Sequence, residues 1–173
     1  METVEESLTG NGTSVRDVES VATILERESE STIKEWLASI SADENLFAIK
    51  LDDKTRSSHL PQMFKELIHR LRYPRPLGTK GQPSKSAHEH GLTRRKQGYS
   101  AAMLVEESRM LEVSIFDTLH KNDQRLDSGF VLLDVMVIAD EADSQLAEAM
   151  TSFIGEVNAD AKPEDLPILA AAR

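Results

Sequence analysis

The sequence predicts an all-α protein, an antiparallel bundle of about five helices for which a globin-like arrangement is one open form. Aromatic residues make up only 5 % of the chain, whereas Ala, Leu, Glu, Lys, Arg and Met, the better helix formers, are abundant. Large apolar residues recur at three- and four-residue spacing through most segments. Prolines and glycines that would end helices are sparse outside one stretch.

Residues 1–13 are acidic, rich in Gly, Ser and Thr and poor in large apolar groups, so a disordered lead is expected there. Ser14 and Asp17 suggest a capped start, and a first helix is expected to run to about Ser41 on Val18, Val21, Ala22, Leu25, Ile33, Trp36, Leu37 and Ile40. Arg27–Thr32 holds no large apolar residue, which predicts an exposed or kinked middle. Asp52 and Asp53 open a second helical stretch whose main part is about Pro61–Leu71, with Phe64, Leu67, Ile68 and Leu71 on one face. Tyr73–Ser86 carries three prolines and two glycines in fourteen residues and reads as a long surface loop. A short helix over about Ala87–Lys96 ends at Gly98. A fourth follows to about Lys121, capped by Ser100 and striped by Leu104, Ser108, Leu111, Ile115 and Leu119. The last runs from Gly129 to about Val157: the Val-rich run 130–139 could be a strand, but its apolar pattern continues unchanged to Phe153, too far for one. Residues 14–157 are therefore expected to form one helical domain, and 158–173 a linker or tail.

With 173 residues the chain fits one ordinary domain. It has no cysteine, which excludes disulfides and thiolate chemistry and suits a reducing, cytoplasmic setting. The acidic start is unlike a secretory signal, and the longest apolar run, broken by Asp134, is about half the ~20 residues needed to span a bilayer. No membrane association is expected. A net charge of -10 opposes nucleic acid, so none is expected as a partner. Residues 65–96 are the exception, with nine basic side chains against Glu66 and Glu89. Such a region can complement acidic helices within the fold or, as a scaffold, recruit an acidic partner.

Phosphate-binding glycine loops, a nucleophile elbow and paired zinc-binding histidines are all absent from the sequence, which argues against an enzyme and leaves no catalytic or metal residues to nominate. His88 and His90 stand two apart, on opposite sides of a helix, and cannot share an ion. His59, His69 and His120 read as surface or capping residues. The thin aromatic content argues against haem, and no cofactor is expected, although a haem- or small-molecule-binding helical sensor is the nearest rival reading. The most informative cluster is His90, Gly91, Arg94, Arg95, Gln97, Gly98 and Tyr99 with Glu106 and Arg109 on the next helix. There Gly91 would permit close backbone approach, Gly98 a positive φ, and Glu106 could pair with Arg109. Such a corner can either lock two helices or hold a signal. On the last helix, Leu132, Met136, Ala139, Leu146, Met150 and Phe153 follow a heptad-like spacing that suits a partner helix, and a homodimer is expected.

The segment His90–Leu111, HGLTRRKQGYSAAMLVEESRML, resembles the RsbRD-type N-terminal domain of the RsbT co-antagonist family, and also the input domains ahead of bacterial sensor histidine kinases. Residues 24–40 and 59–72 resemble the opening helices of that family, and the likeness spans about residues 15–157. It implies a non-catalytic helical input domain that feeds a STAS or kinase domain in stress-response or other signalling proteins.

Overall fold

A computed structural model of the chain describes residues 18–79, 83–127 and 129–160. They form seven α-helices: α1 (Val21–Ala42), α2 (Glu44–Ala48), α3 (Asp53–Ser57), α4 (Leu60–Arg72), α5 (Lys85–Lys96), α6 (Ala101–Lys121) and α7 (Val131–Asp160), with a 3-10 turn at Asp123–Arg125. Among the described residues the only β-type pairing is one bridge between Glu19 and Leu126, so the chain is all-α and residues 130–139 contain no strand.

The elements beyond the expected five are short and owe their existence to aspartates. Asp43 accepts a hydrogen bond from the backbone N–H of Leu46 at 2.9 Å and opens α2; Asp52 accepts from that of Thr55 at 2.8 Å and opens α3. A carboxylate at this position satisfies an orphan donor of the first turn and can start a helix without apolar periodicity. The first helix begins at Val21 behind Ser20, whose hydroxyl accepts from Thr23 N–H. The expected cap at Ser14, the lead over 1–13 and the tail beyond 160 lie outside the described residues. Helix α7 continues to Asp160, so residues 158–160 are helical rather than tail.

The apolar gap in α1 does not interrupt the helix. Thr32, inside the gap, is buried, and its hydroxyl lies 2.7 Å from that of Thr118 on α6. A polar pair thus takes the place of an apolar contact where α1 crosses α6. Farther along, Trp36 and Ile40 from α1 join Phe64 and Leu67 of α4 and Leu111 and Ile115 of α6 in the core. Helix α1 packs on α4 and α6, and α7 packs mainly on α5 while touching both α4 and α6.

Helix α7 turns a different face inward from the one its apolar spacing suggests. Its buried residues are Val137, Ile138, Glu141, Gln145, Ala149, Ser152 and Phe153, and three of them are polar. Glu141 meets Arg70 of α4 and Arg75, and Ser152 donates to the backbone carbonyl of His88 at 2.9 Å. An inward face built this way is invisible to a hydrophobic pattern.

At the α5–α7 crossing the two backbones touch through Gly91. A Cβ at this position would lie 2.0 Å from the carbonyl oxygen of Ala149 and 2.2 Å from the hydroxyl oxygen of Ser152. Because the nearest obstacle is main chain, a rotamer change cannot relieve it. Gly91→Ala should therefore lower stability by about 3 kcal/mol or more, checked by urea unfolding of the variant against the parent chain.

Candidate functional site

Four elements converge on a buried polar cluster beside this crossing. Helix α5 contributes His90 and Arg94, α6 contributes Glu107, α3 contributes Arg56, and the turn into α4 contributes His59. Tyr99 enters from the α5–α6 connection, where Gly98 takes φ +86° so that the chain can reverse. Ser100 then starts α6, its hydroxyl accepting from the backbone N–H of Met103 at 3.2 Å.

Arg94 and Glu107 are the centre of the cluster and are 1 % and 2 % exposed. The Arg94 Nε donates to both carboxylate oxygens of Glu107, at 3.1 and 2.9 Å, and Nη2 bonds Oε1 as well. The remaining Arg94 donors reach Gln97 Oε1 at 2.7 Å and the backbone carbonyl of Arg56 at 2.5 Å. Arg56 in turn donates to Tyr99 Oη at 2.7 Å and to the carbonyls of Leu46 and Ile49 at the end of α2. Trp36 ties α1 in by donating its indole N–H to the Glu107 carbonyl at 3.2 Å. Burial pushes the Glu107 carboxyl above the ordinary carboxylate range, against the opposing pull of Arg94 and Arg56.

The two imidazoles lie against this pair. His59 and His90 are stacked, with ring centroids 3.7 Å apart and planes 16° from parallel, and Trp36 meets His59 edge-on. His59 Nε2 is 4.0 Å from Glu107 Oε1, beyond hydrogen-bond distance. Burial, helped by Arg94, holds both rings neutral; the His90 pKa is lowered to about 3 and that of His59 well below its ordinary value. One ligand atom from each of His59, His90 and Glu107 lies within 4.8 Å of the other two, the one such group of three among the described residues. The rings stand between a small inner cavity, bordered by Trp36, Met63, Leu111 and Gln145, and an outer cleft bordered by Ser58, Gln62, Ser86, Glu89 and Thr93.

The residues singled out from sequence separate into distinct places. His90, Gly91, Arg94 and Tyr99 are buried together, Gln97 braces Arg94, and Gly98 makes the turn. The Arg95 guanidinium lies over the Phe153 ring. Glu106 and Arg109 pair with each other on the outer side of α6, away from the cluster. His88 is exposed beside Glu148, while His59, expected at the surface, is half-buried, its side chain only 10 % exposed. His59, Arg56 and Glu107 are the residues that sequence reasoning missed. Glu107 had a readable signal, for it lies three after Leu104 and four before Leu111 and so falls in phase with the buried stripe of α6. Arg56 and His59 sit in short, aperiodic segments that carry none.

The proposed α7 seam also divides. Leu132 and Met136 are 74 % and 47 % exposed, with Leu133 beside them at 54 %, and Ala139 is half-buried. Phe153 is buried, and Leu146 and Met150 pack against the core of their own chain, so these three are occupied within the fold and do not form an open seam. Four of the nine basic side chains of the 65–96 stretch pair with acids elsewhere in the chain: Arg70 with Asp140, Arg72 with Glu26, Arg75 with Glu141, and Arg94 with Glu107. Among the described residues no helix is long and apolar enough to cross a membrane. Comparison with family models, curated proteins and solved structures gives no match for this chain.

Two outcomes follow for the metal-free protein. Arg94→Met leaves the Glu107 carboxylate buried and unpaired and should cost about 3–5 kcal/mol, whereas Arg94→Met with Glu107→Leu should recover most of that loss; denaturant midpoints decide. The folded chain keeps His90 neutral down to about pH 3, while the unfolded chain takes up a proton near 6.5. Acid thus favours the unfolded state, so stability should fall as pH drops from about 6.5 toward 3. His90→Gln should flatten that slope between pH 7.5 and pH 5; an equally steep variant would exclude the imidazole as its source.

Proposed function

We propose that the chain is the sensory input and dimerisation domain of a bacterial cytoplasmic signalling protein, non-catalytic by itself, whose output is carried by an attached STAS or kinase domain. The observation that carries this reading is the apolar patch on the first turns of α7, where Leu132, Leu133 and Met136 stand in solvent. These residues are three and four apart and form one stripe, the kind of surface that a second helix covers. Phe130, 63 % exposed just before the helix, adjoins them. The partner is a second copy of the chain, with the α7 stripes facing each other across a two-fold axis.

The other end of α7 reaches the buried cluster through its contact with α5 and α6. One rigid helix therefore joins the interior polar site to the exposed stripe, an arrangement suited to passing a small displacement from one to the other. The likeness of His90–Leu111 to RsbRD-type domains agrees with this role, since the buried core of the cluster lies within that segment. The scaffold reading loses support because Arg70, Arg72, Arg75 and Arg94 already have acidic partners within the chain.

Light scattering provides the test. The parent chain should have the mass of a dimer, and Leu132→Glu combined with Met136→Glu should halve it while leaving the far-ultraviolet circular dichroism unchanged. A monomeric parent, or a variant of unaltered mass, overturns the dimerisation reading.

A further inference from the structure

We propose that His59, His90 and Glu107 form a binding site for a divalent first-row transition-metal ion, entered from the cleft between α5 and the turn into α4. The inference goes beyond the input-domain reading and stands or falls independently of whether the chain dimerises.

The donor set and its surroundings carry the proposal. Two imidazoles and a carboxylate arrive from three separate elements, with their ligand atoms within 4.8 Å of one another. Donors bound to one ion at about 2.1 Å in a tetrahedral shell stand about 3.4 Å apart, so closing the site takes a contraction of up to about 1.4 Å at its widest pair. His90 is buried and the His59 side chain is 10 % exposed, and neither ring makes a hydrogen bond to another described group; the two stack on each other, Trp36 meets His59 edge-on, and Glu107 lies 4.0 Å from His59 Nε2. A buried imidazole held for structure alone normally has its ring nitrogens occupied. Here they are available, and the small cavity beside Trp36 gives a ring space to tilt out of its stack so that a lone pair points at the ion.

Glu107 arrives already oriented, because Arg94 grips both of its oxygens. A ligand carboxylate fixed by an outer hydrogen bond is the usual construction of protein metal sites. Arg94 also places a positive charge next to the ion, which disfavours any cation held by charge alone. Binding must come from the imidazoles, and these select zinc, cobalt or nickel over magnesium or calcium, which seek oxygen. Three protein ligands leave at least one coordination position open toward the outer cleft, so water or a small external ligand can complete the shell.

The experiment uses the full, untagged chain stripped with a chelator and titrated with Co2+ and then Zn2+, followed by visible absorption and calorimetry. The expected result is saturable binding of one ion per chain, a visible cobalt band that Zn2+ abolishes, and no heat from Mg2+ or Ca2+. His59→Gln and His90→Gln should each weaken binding by roughly tenfold or more, while exposed His69→Gln should leave it unchanged. Should either buried-site variant fail to fold, histidine ring resonances of the parent chain decide instead: Co2+ must shift those of His59 and His90. Absence of saturable binding, equal uptake by both folded variants, or shifts confined to His69, His88 and His120 overturns the proposal.

Discussion

The structure depends on a buried ion pair. Taking Arg94 and Glu107 out of water costs several kcal/mol for each, and only a nearly complete set of hydrogen bonds offsets it. The chain supplies that set from distant positions: Gln97 one turn on, the backbone of Arg56, and, through Glu107, the helix that receives Trp36 from α1. Because each partner belongs to a different element, the pair fixes where α3, α5 and α6 meet. The apolar core could be filled in several ways; the polar one accepts a single arrangement, and it seats two imidazoles against the pair as a consequence.

The same logic explains how much could be read from the sequence. The helical class and the extents of α4, α5 and α6 follow directly from periodicity, capping serines and the proline-rich loop, because those elements bury apolar faces in the ordinary way. Where a buried face is polar, the pattern misleads. The spacing in α7 points to a stripe through Leu146 and Phe153 and gives no sign of the inward Glu141, Gln145 and Ser152, and the apolar gap of α1, exposed at Arg27, Glu30 and Ser31, hides the buried Thr32–Thr118 contact. The interior site was half legible: Gly91, Arg94 and Tyr99 stand in a recognisable run, but His59 and Arg56 reach it from short segments started by aspartate caps. Only the folded chain shows that a histidine 31 positions before His90 is its stacking partner.

Helix α7 carries two unlike surfaces on one rod. Its central and C-terminal part is held by backbone contact at Gly91, by the Ser152 hydroxyl and by the arginines of α4 and the following loop, whereas its first turns present Leu132, Leu133 and Met136 to solvent. Buried contacts therefore run along the middle of the helix, and exposed apolar surface lies at its start. This is the distribution expected of an element that must be positioned accurately inside and still choose a partner outside.

The glycine at the α5–α7 crossing has a consequence for recognising distant kin. Since main chain fills the space where a Cβ would sit, any protein that retains this crossing must keep glycine there, however far the rest has drifted. The imidazole immediately before it, the arginine three residues after it and the glutamate thirteen beyond that arginine, to which the arginine bonds, stand at set separations from it. Those three spacings make a compact fingerprint that can pick out chains of the same build when overall resemblance has faded.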